Sequence, residues 1–383
     1  MKNKSIALAS LGLAAIAATL ATTALAVPRS VTSVEAPTST QTAPLMAIPA
    51  DRDRAAVTRT VDALFAGDDM GETRALLVLQ DGKPIIERYA PGFGPDSKLI
   101  SWSMAKTVTA ILAGMMVADG KLSLDAPVPI PAWQRPGDPR GAITLRNLLH
   151  MSSGIQHVEE GDPVYDSDTV RMLFLGGSAD MAAYAEGQPL AAQPDEVYNY
   201  SSATSVIVAD ILARALTPSR DPTARRDAML RYLNGRLMQP AGIASLTPEF
   251  DAAGTMIGGS IMHATARDFA RIGELLRNDG FTGADGKGTR LLPHSWVDFM
   301  QTSAPTDAGY GGHLWLNKPR PPGSGKALWP GEGPSDIFAM LGHQGQYVVV
   351  SPSRRLTIVR LGISTKDQIP HVRDAIRDLT NTL

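Results

Sequence analysis

Strand-like segments stand near both ends of the sequence, and segments with helical periodicity fill the stretch between them. Ala75–Gln80 and Pro84–Tyr89 are separated by Asp81-Gly82, and this dipeptide between two apolar runs predicts a β-hairpin. Tyr347–Val350 and Leu356–Val359 predict a second antiparallel pair joined by a short turn. Strands at both ends of one chain predict a mixed α/β (α+β) fold, in which an antiparallel sheet flanked by helices is built from the two termini and a helical domain is inserted between them.

Helical periodicity marks eight segments. They are Arg54–Phe65, 103–118, 144–150, Val164–Ala185, Ser201–Leu216, 222–238, 264–279 and 370–381. We predict one catalytic domain over 52–383, with the helical lobe inserted within about 121–255.

The N-terminal segment has the pattern of an export signal. Lys2 and Lys4 precede an alanine-rich apolar run over Ile6–Leu25, and the run ends in a small-x-small sequence at Ala24–Ala26. This predicts a signal peptide over 1–26 and a periplasmic or secreted protein. An uncleaved N-terminal anchor is the alternative, because the run is nearly long enough to span a bilayer.

Composition excludes several classes of partner. The 383 residues carry a formal net charge of -2 and no run of Lys or Arg, so nothing favours nucleic acid or an acidic membrane as a partner. The absence of cysteine excludes disulfides, thiolate metal sites and a lipid-modified cysteine. Residues 27–51, poor in large apolar side chains, predict a flexible lead-in.

Ser103 and Lys106 form the motif with the clearest chemical content. Residues three apart on a helix lie on the same side, so the hydroxyl and the amine are neighbours at the start of the helix over 103–118. The positive end of the helix dipole favours an alkoxide or oxyanion there, and a half-buried amine loses its proton more readily than a solvated one. A capped helix with a surface lysine is the alternative. However, no other serine precedes a lysine by three residues, and Trp102 and apolar residues enclose the pair.

Two further segments supply candidate partners. Tyr200 stands where a loop enters a helix, so its phenol, as a phenolate beside Lys106, is a possible proton acceptor; the alternative is a core tyrosine. His343 begins a glycine-containing turn that leads into a strand, and the backbone N–H of Gln346 could form an oxyanion hole with that of Ser103. His343 could equally be a histidine whose hydrogen bonds are satisfied at a strand end.

Taken in order, Ser103-x-x-Lys106, Tyr200-Ser-Ser202 and His343-x-Gly345 resemble the motifs of the serine β-lactamase and penicillin-binding-protein superfamily. The sequence most resembles the class C-like branch of esterases and 6-aminohexanoate-dimer hydrolases. The stretches that carry the resemblance, within residues 70–365, are Leu99–Lys106, Gly120–Pro127, Thr144–Gly154, Gly258–Ser260, Ala264–Asp268 and Gly342–Gln346.

The resemblance implies a cleft between a sheet domain and an inserted helical domain. It implies that Ser103 is acylated, that Lys106 is its activating neighbour, and that Tyr200 shuttles protons and also activates the hydrolytic water. Which group is the acylation base stays open. It places Gln346, His343, Gly345 and Ser202 at the oxyanion and substrate side. Two departures disfavour β-lactams: His343 stands where a lysine is usual, and Ser202 where asparagine is usual.

These residues predict a serine hydrolase that acts on small carboxylic esters or amides without metal or organic cofactor. β-Lactamase or D-alanyl carboxypeptidase activity is an alternative, and so is a non-catalytic binder of peptide or cell wall. An α/β-hydrolase is disfavoured because no serine lies in a G-x-S-x-G elbow, and a zinc hydrolase because no H-E-x-x-H occurs. The oligomeric state is left open.

Overall fold

Seven antiparallel strands form the main sheet of the computed structural model, which describes residues 43–283 and 285–383. In sheet order these strands are β1 (Leu45–Met46), β3 (Lys83–Tyr89), β2 (Glu72–Gln80), β10 (Leu356–Ile363), β9 (Gln346–Ser351), β8 (Phe338–Gly342) and β7 (Trp315–Leu316). Strands β2 and β10 pair in the middle of the sheet, so residues from the two ends of the chain form its centre. The predicted fold class is confirmed.

The predicted hairpin lies between β2 and β3. Gln80 pairs with Lys83, which leaves the two-residue turn Asp81-Gly82. Both turn residues have positive φ, 53° and 71°, as a type I′ turn requires. The turn residues therefore set the register of this pair.

A small second sheet holds the chain just before Ser103. Its strands, in sheet order, are β4 (Leu99–Ile100), β6 (Met262–Ala264) and β5 (Thr247–Pro248). The Ser101 N–H donates to the Met262 carbonyl oxygen at 2.8 Å, and the Met262 N–H donates to Ser101 Oγ at 3.1 Å. This exchange fixes the position from which the next turn starts.

Helices cover the sheet and form the middle of the chain. They are α1 (Arg54–Ala66), α2 (Ala105–Ala118), α3 (Leu145–Leu149), α4 (Asp168–Phe174), α5 (Met181–Glu186), α6 (Ser202–Leu216), α7 (Pro222–Leu233), α8 (Gln239–Ala241), α9 (Ala266–Arg277), α10 (His294–Gln301) and α11 (Ile369–Thr382). A π-helical turn over Asn234–Met238 joins α7 to α8. Helices α3 to α8 fall inside 121–255, the range in which we predict the inserted lobe.

The single helix predicted over Val164–Ala185 is wrong. The structure has a 3-10 turn at Val164–Asp166, then α4 and α5, because two side chains start separate helices. Ser167 accepts a hydrogen bond from the Val170 N–H, and Asp180 accepts one from the Ala183 N–H. The glycines at 176 and 177 disfavour helix between them.

The predicted flexible lead-in is too long. Leu45 and Met46 pair with β3 as an edge strand, and Ile48 is buried against the sheet, so ordered backbone begins before residue 51. The predicted signal peptide over 1–26 lies outside the described residues. Among the residues that are described, no helix has both the length and the apolarity to cross a membrane.

Helix α2 runs through the core. Its residues from Ala105 to Met116 are all buried. Gly114 lets the indole of Trp296 approach, because a Cβ at 114 would lie 2.2 Å from the Trp296 ring nitrogen. That nitrogen donates to the Ala110 carbonyl oxygen at 3.2 Å. The contact anchors α10 on the helix that follows Ser103.

We predict that Gly114→Ala destabilises the protein, although at an exposed helix position alanine is more stable than glycine by about 1 kcal/mol. The new methyl would overlap the buried indole, and overpacking of this kind costs about 1–3 kcal/mol. Denaturant unfolding measures the change. Gly235→Ala is the matched control, because a Cβ there meets no atom within 4 Å, and it should leave the free energy of unfolding equal or higher. A Gly114→Ala protein as stable as wild type would contradict this packing.

Candidate active site

Ser103 lies in a strained turn before a helix. The 3-10 turn covers Trp102–Met104, and α2 begins only at Ala105. Trp102 has φ of 43°, a left-handed conformation that is rare for a bulky residue and common at functional sites. No side-chain hydrogen bond caps α2, so Ser103 is not a helix cap, which was the alternative interpretation, and its hydroxyl is free for another partner.

That partner is the amine of Lys106. Its Nζ lies 3.0 Å from Ser103 Oγ, 2.9 Å from Ser202 Oγ and 2.7 Å from the Gly259 carbonyl oxygen. The Lys106 side chain is fully buried, and burial lowers its pKa to about 8, although the charge of Glu159 partly opposes this. With this pKa, about a tenth of the Lys106 amines are deprotonated at pH 7 and about half at pH 8, far more than for a lysine with the ordinary pKa.

Gly259 brings its carbonyl to Lys106 because glycine alone fits there. A Cβ at 259 would lie 2.5 Å from the backbone oxygen of Ser202. The segment that follows β5 therefore packs directly on the start of α6. The close approach gives the buried amine an acceptor that cannot donate.

Glu159 completes the cluster, and sequence reasoning missed it. Its Oε1 accepts from Ser202 Oγ at 2.6 Å, and its Oε2 accepts from the Ser202 N–H at 2.7 Å. Burial opposes ionisation of Glu159, but the Lys106 charge and the hydrogen bonds from His157 and Ser202 outweigh it and lower its pKa to about 2. The side chain is 23% exposed, and its carboxylate is held ionised by these partners.

Tyr200 places its ring over the amine. The Lys106 Nζ is 4.7 Å from the ring centroid, and the ring packs against Trp315 at 5.3 Å and Tyr310 at 5.9 Å. Burial, and then the charge of Glu159, raise the pKa of Tyr200 well above its usual value, and a hydrogen bond with Ser103 offsets only part of this. Tyr200 is therefore a protonated phenol at rest, and it can act as a proton acceptor only after it has given up its own proton.

The hairpin between β8 and β9 lies against the Ser103 turn. The rings of His343 and Trp102 meet edge to face at 5.4 Å, and His343 is exposed. A Cβ at Gly342 would lie 2.3 Å from the Ser101 carbonyl oxygen, so only glycine allows the two segments to touch. The side chain of Gln346 stays inside the hairpin, where its Nε2 donates to the Gly362 carbonyl oxygen at 2.6 Å.

A buried arginine braces this hairpin from behind. Arg360 donates to the Gly345 carbonyl oxygen at 2.8 Å and to Ser364 Oγ at 2.8 Å, and its Nε donates to Thr73 Oγ1 at 3.1 Å. Burial lowers its pKa to about 10, so it stays charged at neutral pH. Glycine at 345 permits this close approach, because a Cβ there would lie 2.7 Å from the Arg360 guanidinium.

The structure thus brings Ser103, Lys106, Tyr200 and Ser202 together, with His343 adjacent through Trp102. Ser202 differs from its predicted role at the substrate side, because the residue is 1% exposed and its hydroxyl is engaged by Lys106 and Glu159. In the sequence, Glu159 is marked only as a carboxylate that follows the Thr144–Gly154 stretch by a few residues. No sequence spacing between Glu159 and Ser202 indicates that the two side chains meet.

Other polar regions lie apart from this cluster. A cavity of about 620 Å³ in the helical region has Asp210, Glu186 and Arg214 among its lining residues, and none of the residues of the Ser103 cluster lines it. Within 43–283 and 285–383, no group of three or more His, Cys, Asp or Glu residues is arranged to hold a metal ion.

Comparison with known proteins identifies the family. The fold belongs with the β-lactamase and penicillin-binding-protein structures: a penicillin-binding-protein homologue from Caulobacter crescentus superposes with a TM-score of 0.63 at 18% identity, covering 89% of this chain and 100% of that one. A family VIII carboxylesterase gives a TM-score of 0.56 at 15% identity, covering 88% and 100%. The Beta-lactamase family model matches residues 65–379, so the chain belongs to the beta-lactamase family of hydrolases.

One relative is similar in sequence as well. The 6-aminohexanoate-dimer hydrolase of Paenarthrobacter ureafaciens is 25% identical over 251 residues. The match covers 62% of this chain and 60% of that relative, so this chain spans about three fifths of the relative's length. The predicted resemblance to the superfamily is confirmed.

We predict that Gly342→Ala slows modification of Ser103 by a fluorophosphonate by about 10- to 100-fold. The new methyl would push the hairpin away from the Ser101 carbonyl and displace the turn that carries the hydroxyl. Intact-protein mass against time gives the rate. Gly176→Ala is the control, because a Cβ there meets nothing within 4 Å, and its rate should equal that of wild type. Equal rates for all three proteins would show that the contact does not position Ser103.

Proposed function

We propose that this protein is a serine hydrolase that acts through an acyl-enzyme on small carboxylic esters or amides. The observation that carries the proposal is the fully buried amine of Lys106, 3.0 Å from Ser103 Oγ and with a pKa lowered by burial. A hydroxyl is a weak nucleophile until a base removes its proton, and this amine is such a base.

In the acylation step, Ser103 Oγ attacks the carbonyl carbon of the substrate while its proton passes to Lys106. The resulting tetrahedral oxyanion accepts from the backbone N–H groups of Ser103 and Gln346, at the positive end of the α2 dipole. When the bond to the leaving group breaks, the phenol of Tyr200 gives it a proton. The Lys106 ammonium then returns a proton to the Tyr200 phenolate, and both groups are restored.

In the deacylation step, water attacks the ester formed on Ser103 and gives its proton to the neutral Lys106. The second tetrahedral intermediate collapses, the carboxylic acid leaves, and Ser103 Oγ takes the proton back from Lys106. The same base therefore serves both half-reactions. No metal or organic cofactor enters either one.

Substrate class is inferred from the residues around the nucleophile. His343 is exposed where a penicillin-recognising enzyme usually has a lysine, so a fixed positive charge for a β-lactam carboxylate is missing at this position. Tyr200 and Trp315 provide an aromatic surface that suits small apolar acyl or leaving groups. The activities named for the carboxylesterase and the 6-aminohexanoate-dimer hydrolase support esters and amides.

Two other functions use the same fold. β-Lactamase or D-alanyl carboxypeptidase activity would use the same nucleophile, and hydrolysis of β-lactams by the purified protein would favour it. A binder without turnover would not need a buried amine beside Ser103, and this argues for the enzyme. Export to the periplasm or medium remains a prediction from the N-terminal sequence.

We predict that a fluorophosphonate adds one group to the wild-type protein, that Ser103→Ala removes this adduct, and that the same substitution abolishes turnover of p-nitrophenyl esters. The reason is that, among the described residues, only two hydroxyls hydrogen-bond to the Lys106 amine, and the other one, on Ser202, belongs to a residue that is 1% exposed. Intact-protein mass and release of p-nitrophenol measure the two effects.

Further variants test the other proposed catalytic groups and a surface position outside the site. Lys106→Ala and Tyr200→Phe should each lower kcat by about 100-fold or more, as loss of an acid–base group does. Ser123→Ala, on the surface loop after α2, should change nothing. An adduct that persists in Ser103→Ala would disprove the assigned nucleophile, and a folded wild type with neither adduct nor turnover would favour the binder.

A further inference from the structure

We propose that Glu159 is a positioning residue that acts through the hydroxyl of Ser202 and fixes the direction of the hydrogen bonds around Lys106, so that the amine lone pair faces Ser103. The inference rests on the proposed function, because it assigns Lys106 as the base. It concerns a carboxylate that takes no part in the acyl-transfer steps described above.

Glu159 is held firmly enough to act in this way. Its Oε2 accepts from the Ser202 N–H at 2.7 Å, from His157 Nε2 at 2.8 Å and from Thr169 Oγ1 at 2.9 Å. His157 Nδ1 is buried without a partner among the described residues, so the ring proton belongs on Nε2, facing the carboxylate. These three donors leave Oε1 pointing at the Ser202 hydroxyl.

An ionised carboxylate only accepts hydrogen bonds, and this fixes the next link. The single hydrogen of the Ser202 hydroxyl must go to Glu159 Oε1, 2.6 Å away. The Ser202 oxygen can then only accept from Lys106 Nζ, 2.9 Å away. The direction of this bond is therefore set by Glu159.

The direction of the Lys106 lone pair follows from the number of hydrogens on a neutral amine. A neutral Lys106 has two N–H groups and one lone pair. One N–H donates to Ser202 Oγ, and the other donates to the Gly259 carbonyl oxygen at 2.7 Å, which cannot donate in return. The lone pair is left for the third neighbour, Ser103 Oγ at 3.0 Å, and this is the geometry a general base needs.

Glu159 is also the ionised group that faces the amine. Tyr200, whose ring lies 4.7 Å from Nζ, is protonated because burial raises its pKa. His313, buried beneath α2 and bonded to Ser205, is neutral because burial lowers its pKa to about 3. The charge of Glu159 raises the pKa of Lys106 against the stronger effect of burial.

Substitution by glutamine should therefore have two separable effects. Loss of the negative charge lowers the pKa of Lys106, so the acidic limb of kcat/KM moves to lower pH, by about one pH unit for a neighbouring opposite charge. Glutamine also offers an N–H, so the Ser202 hydroxyl is no longer obliged to donate to residue 159 and can donate to the Lys106 lone pair. The plateau kcat should then fall by about 10- to 100-fold.

The experiment compares Glu159→Gln, Ser202→Ala and the double variant with wild type, using pH profiles for one p-nitrophenyl ester. Ser202→Ala keeps the negative charge of Glu159 and removes only the hydroxyl that links it to Lys106. The plateau kcat should therefore fall, while the acidic limb of kcat/KM should move less than in Glu159→Gln. The double variant should be no slower than the slower single variant, because Glu159 acts through Ser202. Glu160→Gln, an exposed neighbour paired with Lys366, should match wild type.

Two measurements keep the inference independent of folding and of the proposed function. Thermal melts identify a misfolded Glu159→Gln, in which case Ser202→Ala carries the test of the plateau. An NMR titration of the Lys106 amine needs no turnover, and its midpoint should fall in Glu159→Gln relative to wild type. An unmoved midpoint, an unchanged plateau in Ser202→Ala, or losses that multiply in the double variant would overturn the inference. A wild type without turnover would contradict the proposed function alone.

Discussion

Burial of the Lys106 amine is the constraint on which the site depends. A charged ammonium is costly in a protein interior, so such a group either finds acceptors for all its hydrogens or gives up a proton. Lys106 does both in part: three oxygens surround it, and its pKa falls to about 8. The same burial that would destabilise an idle lysine makes this one a base near neutral pH.

The fold supplies the burial by bringing distant segments to one point. Helix α2 carries Lys106 into the core, the start of α6 supplies Ser202, and the segment after β5 supplies the Gly259 carbonyl. The hairpin of β8 and β9 closes against the Ser103 turn, with Arg360 buried behind it. Because β2 and β10 pair in the centre of the sheet, both ends of the chain support this arrangement.

Much of this architecture could be predicted from local patterns. The Asp81-Gly82 turn, the helix over Ser201–Leu216 and the pairing of β9 with β10 follow from residues close together in sequence, and the structure confirms them. The proximity of Ser103 and Lys106 could also be predicted, because residues three apart lie on one side of a helix. The resemblance to a known superfamily joined these segments to Tyr200 and His343.

The remaining features depend on long-range packing that spacing does not reveal. Glu159 reaches Ser202 across 43 positions of sequence, and Arg360 reaches Thr73 across 287. The loop position of Tyr200 suggested a possible proton acceptor, but it does not reveal the burial that raises the pKa of this phenol and keeps it protonated. The two-residue strands β1, β4, β5 and β7 have too few residues for periodicity to mark them.

The most direct test is the titration of Lys106 itself in the wild-type protein. Uniform [ε-13C]lysine labelling, with Lys106→Met to assign the resonance, lets NMR follow this one amine against pH. The account predicts a midpoint near 8, because burial outweighs the charge of Glu159. A midpoint near the ordinary lysine value of about 10.4 would contradict it, because the amine would then be protonated throughout the physiological range and could not serve as the base.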